Sequence, residues 1–201
     1  MNYFVTGIDT DSGKTLASAI LCEALGFDYW KPIQAGFPTD SATIKSWLPN
    51  VSIHPEAHVL KTPASPHAAA KIEGIAIDPR KIVLPKTTNG LIIEGAGGCL
   101  VPLNDSDFVI DLVPRLNAEI ILVADLYLGS INHTLLTVHL LQTRNYRVKG
   151  IIFNGEPNPE SERIILKHSG YQCLLKIPKE SQITVETIKR SATELKKNWN
   201  G

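Results

Sequence analysis

Nine residues near the N-terminus have the types and spacing of a loop that binds phosphate groups. The segment Gly7-Ile8-Asp9-Thr10-Asp11-Ser12-Gly13-Lys14-Thr15 follows an apolar run and precedes a stretch of helical composition. Small residues let successive backbone N–H groups surround phosphate oxygens, the lysine reaches the outer phosphates, and the threonine hydroxyl binds magnesium. Five residues separate Gly7 from Gly13, one more than in the usual pattern. The context nevertheless favours nucleotide binding over an ordinary turn, with Lys14 and Thr15 as the central residues.

Two further segments place charged side chains at the ends of predicted strands. Glu94 ends the apolar run 91–94 and precedes residues 95–98, which we predict to form a glycine-rich turn. Lys31 ends the predicted strand 28–31, and Pro32 prevents a helix from starting there. Ligands of open α/β sheets bind at the carboxyl ends of the strands, so Glu94 is a candidate magnesium ligand and Lys31 could neutralise charge during phosphoryl transfer. Each segment by itself also fits an ordinary solvated strand end.

The elements that would position these residues alternate along the chain. β-branched runs predict strands at residues 3–6, 28–31, 91–94, 120–124, 148–153 and 172–177. Composition or periodicity predicts helices at residues 15–25, 41–48, 108–116, 132–143, 160–169 and 185–197. This alternation is typical of a doubly wound α/β fold of the P-loop NTPase type, with a mostly parallel sheet and helices on both faces. We expect one domain over residues 1–201, with the Pro-rich stretch 49–66 forming loops over the sheet edge.

Composition limits the classes of protein to which the chain could belong. Its 201 residues are 43% hydrophobic and 20% charged, which is too apolar for a disordered chain, and no apolar run approaches the roughly 18 residues of a membrane helix. Lys plus Arg and Asp plus Glu each number 20, so the balance argues against nucleic-acid or membrane partners bound through a broad electrostatic field. Widely spaced cysteines and an N-terminus without a basic leader predict a reduced cytoplasmic protein. His54 and His58, with Pro55 between them, are interpreted as solvated loop histidines.

In combination, these segments resemble the dethiobiotin synthetase family. The phosphate loop, the Lys31-Pro32 segment and Glu94-Gly95-Ala96-Gly97-Gly98 occur in the order of that family, as do Ser65-Pro66-His67 and the segments 128–133 and 150–154. The likeness extends over about residues 2 to 180. It implies an enzyme dependent on ATP and Mg2+ that bridges the two amines of 7,8-diaminopelargonate with carbon dioxide. The ring of dethiobiotin would close through a carbamate and a carbamic-phosphoric anhydride.

The resemblance also implies roles for individual residues. Lys31 and Lys14 would be catalytic, and magnesium would be bound by Thr15, Asp40 and Glu94, although Asp40 also fits the N-cap of a helix. The nucleotide would contact Thr10, Asp11, Ser12, Gly13, Lys14, Thr15, Leu16, Asp40, Glu94, Gly95, Ala96, Gly97, Asn154, Gly155, Pro178, Lys179 and Glu180, with Asn154 on the adenine. The substrate would contact Lys31, Ala35, Gly129, Ser130 and Asn132. The last three would come from the neighbouring subunit of a homodimer with a shared active site, although Ser130 or Asn132 could also cap that helix.

Three other functions are weighed against this interpretation. A partitioning or metal-insertion ATPase commonly carries a lysine five residues before the one equivalent to Lys14, where this chain has Asp9. A ligase of the cobyrinate amidotransferase type normally needs a glutaminase domain, for which 201 residues leave no room. A non-enzymatic module would bind ATP without consuming it.

Overall fold

The computed structural model describes residues 1–199, which form a layered α/β structure. The strands are β1 (Asn2–Gly7), β2 (Asp28–Trp30), β3 (Ile33–Ala35), β4 (Ile53–His54), β5 (His58–Leu60), β6 (Leu91–Gly98), β7 (Glu119–Asp125), β8 (Val148–Asn154) and β9 (Cys173–Ile177). The helices are α1 (Lys14–Leu25), α2 (Asp40–Trp47), α3 (Pro66–Glu73), α4 (Leu112–Arg115), α5 (Ser130–Thr143), α6 (Pro159–Ser169) and α7 (Val185–Asn198). Short 3-10 turns lie at Pro79–Lys81 and Val109–Asp111.

A parallel sheet forms the centre of the described chain. Seven strands pair in the order β4-β2-β6-β1-β7-β8-β9, and every pairing between neighbours is parallel. β1 lies between β6 and β7, so Val5 is in register with Glu94 on one side and Ile121 on the other. Parallel strands buried on both faces read as continuous apolar runs, which is why the central strands were recognisable from sequence. The predicted doubly wound fold is confirmed.

Helices cover both faces of this sheet and enclose two hydrophobic layers. On one face, Val5 and Ile92 of the sheet pack with apolar residues of α1, α2 and α7. On the other, Phe4 and Ile93 pack with residues of α3, α4, α5 and α6. Successive residues of a strand point to opposite faces, so each central strand contributes to both layers. None of the helices described for residues 1–199 is long and apolar enough to cross a membrane.

The prediction that residues 49–66 are only loops is wrong. β4 extends the edge of the main sheet beside β2, and β5 pairs with β3 in a separate two-stranded sheet. Pro66 then begins α3, with Pro at a position that tolerates the missing N–H. Strands of two or three residues are too short to show an alternating pattern, so the sequence carried no readable signal for them.

The predicted helix 108–116 is divided in the structure. A 3-10 turn at Val109–Asp111 leads into the four-residue helix α4. Pro114 has no N–H to donate to the carbonyl of Ile110, so one continuous α-helix could not complete its hydrogen bonds there. The single domain predicted over residues 1–201 stays a prediction, and its last two residues lie outside the described part of the chain.

Candidate active site

A cavity of about 730 Å3 opens where the carboxyl ends of β1, β2 and β6 meet. This is the edge at which ligands of open α/β sheets bind. Of the predicted site residues, the cavity is lined by Thr10, Asp11, Gly13, Lys14, Thr15, Leu16, Lys31, Ala35, Asp40, Glu94, Ala96 and Gly97. The fold therefore brings the three charged segments of the sequence together.

The phosphate loop connects β1 to α1 through Gly13. This residue has φ +92°, which L side chains rarely adopt, and a Cβ here would lie 2.4 Å from Nδ2 of Asn154. Lys14 and Thr15 begin α1, whose first turn, among the described residues, holds no acidic side chain and receives no side-chain cap. The first N–H groups of α1 are therefore available to an anion.

The Lys14 side chain is folded back onto the phosphate loop. Its Nζ donates hydrogen bonds to the carbonyl oxygens of Asp9 and Thr10, both at 2.8 Å, and the residue is only 4% exposed. Burial lowers the pKa of Lys14 to about 8, against the opposing attraction of Glu94. Phosphate oxygens are stronger partners for an ammonium than backbone carbonyls, so this lysine is placed to transfer its hydrogen bonds to a nucleotide.

Ser12 lies in the loop without lining the cavity. Its hydroxyl donates to the carbonyl of Asp9 at 2.9 Å, and its side chain is fully buried. The expected contact between Ser12 and the nucleotide can therefore involve only its backbone. Its side chain closes the turn of the loop.

Lys31 follows β2 and lies between two carboxylates. Its Nζ donates to the carboxylate of Asp40 and, at 3.1 Å, to Oε1 of Glu94. Burial would lower the pKa of Lys31, but Glu94 and Asp40 outweigh it and raise this pKa above its ordinary value. The ammonium is thus charged while only 5% of the residue is exposed. A buried charge of this kind, beside the phosphate loop, is suited to stabilising anions that form during a reaction.

Glu94 is the centre of a hydrogen-bond network at the base of the cavity. Oε1 accepts from Thr15 Oγ1 at 2.9 Å in addition to Lys31, and Oε2 accepts from the Tyr29 hydroxyl at 2.9 Å. The residue is 1% exposed. The three donors compensate for burying the carboxylate charge.

The oxygen atoms of this network fit a magnesium ion. Thr15, Asp40 and Glu94 supply one hydroxyl and two carboxylates, joined through their contacts with each other and with Lys31. Within residues 1–199, no group of three or more His, Cys, Asp or Glu side chains could hold a metal by itself. Mg2+ typically takes one or two carboxylates and completes its octahedron with water and phosphate oxygens, so this donor set suits a nucleotide-bound ion.

Asp40 is not the cap of its helix. Thr39 caps α2 by accepting a hydrogen bond from the N–H of Ala42 at 3.1 Å, which leaves the Asp40 carboxylate facing the cavity. The backbone N–H of Asp40 donates to Oε1 of Gln34 at 3.1 Å, and Nε2 of Gln34 donates to the carbonyl of Gly36 at 3.1 Å. Gln34 thereby ties the turn beyond Ala35 to the start of α2. Ala35 lines the cavity and has no side-chain donor.

Residues 95–98 are not the turn that we predicted. β6 continues through them to Gly98, which is in register with Gly7 of β1. Gly95 is buried in the sheet, where a Cβ would lie 2.9 Å from the ring of Phe4. Close packing therefore explains the absence of a side chain at Gly95, and only Ala96 and Gly97 reach the cavity.

A second group of predicted residues lies on the opposite side of the phosphate loop. Asn154 ends β8, and its Nδ2 donates to the carbonyl of Ser12 at 3.1 Å. Gly155 donates its N–H to the carbonyl of Ile177 at 2.9 Å, which places residues 178–180 beside it. Pro178 and Glu180 border a crevice with Leu16, whereas Lys179 does not line it. These residues adjoin the loop without lining the 730 Å3 cavity.

The segment at the start of α5 is also separate from the cavity of its own chain. Gly129 is the N-cap residue with φ +107°, and in the described chain no side chain caps this helix. The alternative that Ser130 or Asn132 acts as the cap is therefore wrong. Ser130 is buried with no hydrogen-bond partner for its hydroxyl in the described structure, whereas Asn132 is exposed.

Sequence reasoning missed Tyr29 and misinterpreted His54. Tyr29 lies two residues before Lys31, so the alternation of a strand places both on one face and could have identified it. Nε2 of His54 lies 2.9 Å from Oδ2 of Asp28, and the His54 side chain is only 18% exposed. His54 therefore belongs to the edge strand β4 and is not a solvated loop histidine. Its contact is long-range, and no local pattern predicts it.

Comparisons with known proteins agree with the resemblance seen in the sequence. A family model described as an AAA domain matches residues 1–187. The ATP-dependent dethiobiotin synthetase BioD of Cytophaga hutchinsonii is 60% identical over 201 residues, which covers 98% of each chain. The enzyme of the same name from Rhodopseudomonas palustris strain BisB5 is 44% identical, over 92% of this chain and 89% of the relative. That of Christiangramia forsetii is 43% identical, over 98% and 96%.

Solved structures share the fold at much lower sequence identity. The septum site-determining protein MinD of Pyrococcus horikoshii, complexed with Mg-ADP, superposes with a TM-score of 0.60 at 16% identity, covering 98% of this chain and 95% of MinD. A ParA family ATPase from Chlorobium tepidum gives a TM-score of 0.57 at 14% identity, covering 98% and 96%. At this identity the likeness establishes a P-loop NTPase architecture and nothing more.

Proposed function

The chain belongs to the dethiobiotin synthetase family, ATP-dependent ligases of biotin biosynthesis, and from that premise we propose that it closes the ring through a carbamate and a carbamic-phosphoric anhydride. Membership establishes ATP-dependent dethiobiotin synthesis. The chemical steps, the metal and the individual residue roles are our proposal. One observation carries them: a charged, buried Lys31 is held between Asp40 and Glu94 beside the phosphate loop.

The proposed reaction has three bond-forming steps. One amine of 7,8-diaminopelargonate attacks carbon dioxide, forming an N–C bond and releasing a proton. An oxygen of the resulting carbamate attacks the γ-phosphorus of ATP, and the bond from that phosphorus to the bridging oxygen breaks, releasing ADP. The second amine then attacks the carbamate carbon. The C–O bond to phosphate breaks, phosphate leaves, and the nitrogen loses a proton as the cyclic urea forms.

Lys31 and Lys14 are the proposed catalytic residues. A carbamate resists attack by an amine because its carbon carries an anionic group, and phosphorylation converts one oxygen into a leaving group. The Lys31 ammonium would bind the carbamate and stabilise the charge that passes between it and the phosphate. Lys14 would neutralise the β- and γ-phosphate oxygens, and its position at the start of α1 supports this role.

Thr15, Asp40 and Glu94 are the proposed magnesium ligands. A magnesium ion held by these residues would supply positive charge that stabilises the phosphate groups during transfer. The contacts of these three residues within one network support the assignment.

The remaining nucleotide contacts follow the phosphate loop and its neighbours. Thr10, Asp11, Gly13, Ala96 and Gly97 line the cavity, and the last two would offer backbone groups to the nucleotide. Asn154 would bind adenine, since a carboxamide offers one donor and one acceptor, and residues 155 and 178–180 would contact the base or ribose. The backbone of Ser12 and Gly95 and the side chain of Leu16 complete the proposed set.

The diamine would occupy the cavity between Lys31 and Ala35. Its carboxylate would bind to the N–H groups around Gly129, Ser130 and Asn132 of the neighbouring subunit in a homodimer. The absence of a side-chain cap on α5, within the described residues, supports an anion site at this helix start. We propose that residues 1–201 form a single catalytic domain in each subunit.

Phosphate release tests the function directly. The protein is incubated with ATP, Mg2+ and bicarbonate, with and without 7,8-diaminopelargonate, and the product is identified by mass. We expect phosphate release to depend strictly on the diamine and the cyclic urea to form in equal amount. Release that is indifferent to the diamine would indicate a switch ATPase, and no release would indicate a nucleotide-binding module.

A further inference from the structure

The two oxygens of Glu94 have different hydrogen-bond partners. Oε1 accepts from Thr15 at 2.9 Å and from Lys31 at 3.1 Å, and both of these side chains reach the cavity. Oε2 accepts from the hydroxyl of Tyr29 at 2.9 Å. Within residues 1–199, Thr15 and Lys31 line the cavity, whereas Tyr29 does not.

The strand register explains how Tyr29 reaches Glu94. Tyr29 of β2 is in register with Ile92 of β6, and Glu94 lies two residues further along the same face of β6. The tyrosine ring is fully buried in the layer beneath α1 and extends along the strand direction toward the carboxylate. It approaches Glu94 from the core and not from the cavity.

We propose that Tyr29 is a positioning residue for the metal site: it holds Oε2 of Glu94 so that Oε1 faces the cavity for magnesium. This inference rests on the proposed function, in which Glu94 is a magnesium ligand. Carboxylates that bind metals are commonly oriented by hydrogen bonds from residues outside the ligand set, and removing such partners weakens metal binding. Tyr29 does not line the cavity, so its hydrogen bond to Glu94 does not compete with a nucleotide or substrate bound there.

The chemistry of a buried tyrosine suits this role. A phenolic hydroxyl is a hydrogen-bond donor at neutral pH, and that of Tyr29 donates to Oε2 from a fully buried ring. A phenylalanine at this position would keep the ring and its packing but leave Oε2 without a donor. The Glu94 carboxylate would then be free to rotate, and either of its oxygens could face the cavity.

Tyr29→Phe removes the hydroxyl that positions Glu94 but keeps the ring that packs in the core. The affinity for a non-hydrolysable ATP analogue is measured by calorimetry with and without Mg2+. We call the ratio of the affinity with Mg2+ to the affinity without it the Mg2+ gain. In Tyr29→Phe we expect this gain to fall by about 10-fold, the lower end of the loss seen when a residue that orients a metal ligand is removed. The affinity without Mg2+ should stay unchanged. Tyr3→Phe is the matched control, because Tyr3 is buried in the same layer and its hydroxyl contacts Met1 Sδ at 3.3 Å. A merely structural hydroxyl would lower the unfolding temperature and leave the Mg2+ gain intact in both variants.

Glu94→Gln distinguishes failure of this inference from failure of the proposed metal site. We expect Glu94→Gln to reduce the Mg2+ gain, and the double variant Tyr29→Phe, Glu94→Gln to reduce it no further, because Tyr29 acts through Glu94. An unchanged gain in Glu94→Gln would remove Glu94 from the proposed ligands. A reduced gain in Glu94→Gln with a wild-type gain in Tyr29→Phe would overturn the positioning role alone.

A second replacement keeps the test decisive if Tyr29→Phe does not fold. 4-Fluorophenylalanine introduced at position 29 retains the ring and fills the place of the hydroxyl without donating a hydrogen bond. We expect a folded protein whose Mg2+ gain is smaller than that of the wild type. A gain equal to that of the wild type would overturn the proposal.

Discussion

Lys31 and the two carboxylates that contact it are the chemically distinctive residues of this chain. Each of the three fits an ordinary structural role when considered alone. Their contacts in one buried network, next to the N-terminus of α1, make a shared role in phosphoryl transfer the better interpretation. The role proposed for Lys31 rests on its charge, which burial opposes and the carboxylates maintain.

Lys31→Ala tests this role at the residue scale. We expect turnover to fall by at least about 100-fold, the usual loss when one group that stabilises transition-state charge is removed. ATP affinity should stay within a few-fold, because Lys14 and the backbone of the loop remain. Steady-state kinetics and calorimetry measure the two quantities. Lys45→Ala is the control, since Lys45 is an exposed lysine of α2. Near-normal turnover in Lys31→Ala would refute the assignment.

At the scale of elements, the opposite end of β2 is held by a second buried carboxylate. Asp28 accepts hydrogen bonds from Thr87 Oγ1 at 2.7 Å and Asn89 Nδ2 at 3.0 Å, and it contacts His54 of β4. These contacts join β2 to the edge strand and to residues 87–89 before β6. They fix the strand that carries Tyr29 and leads into Lys31.

The pKa of Asp28 predicts how this anchor depends on pH. Burial alone would raise the pKa, but hydrogen bonds from Thr87, His54 and Asn89 outweigh burial and hold it below its usual value. A carboxyl whose pKa is lowered by folding stabilises the native state above its unfolded pKa of about 4. This stabilisation is lost as the pH falls through the folded pKa.

Asp28→Asn should therefore reduce the free energy of unfolding by about 1–3 kcal/mol at pH 7, the range for a broken buried hydrogen-bond set. The difference from the wild type should shrink as the pH falls below about 4. Urea unfolding at a series of pH values from 7 to 3 measures it, with Asp105→Asn, at an exposed aspartate, as the control. A difference that is constant over this range would contradict the assignment.

At the scale of the whole molecule, we propose that the site is shared between two subunits. The start of α5 shares no lining residue with the cavity that contains Lys31, and in this proposal the carboxylate site comes from a partner. Closed two-fold dimers are the commonest symmetric assemblies, and a shared interface would form two equivalent sites.

Mixing two variants tests whether the site is shared. Asn132→Asp places an anion in the first turn of α5, a position where a helix tolerates negative charge. The new anion should repel the substrate carboxylate, so we expect a raised KM for the diamine. Lys31→Ala supplies the second defect. After subunit exchange in an equal mixture, about a quarter of the sites should be free of both defects, and activity at low diamine should recover accordingly. A mixture no more active than the average of its parents would show that each site lies within one chain.

Much of the architecture could be read from local pattern. The central strands and the long helices were predicted within a few residues, because continuous apolar runs and helical periodicity arise from burial on defined faces. β3, β4 and β5 were not predicted, since strands of two or three residues carry little periodic signal. We predicted that β6 ends at Glu94 because the glycines that follow are typical of a turn. In the structure Gly95 belongs to the strand, where the absence of a side chain leaves room for Phe4.

The sequence by itself determined the chemistry that is available. The phosphate loop with Lys14 and Thr15, the strand-end residues Lys31 and Glu94, and the order of the segments sufficed to identify the family, because these signals are local. Only the tertiary structure decided which atoms meet. The pairing of Lys31 with Asp40 and the contacts of Glu94 with Tyr29 and Thr15 depend on strand register and on side-chain burial. These contacts join residues of different strands and helices, and their geometry is set by packing, which no single stretch of sequence specifies.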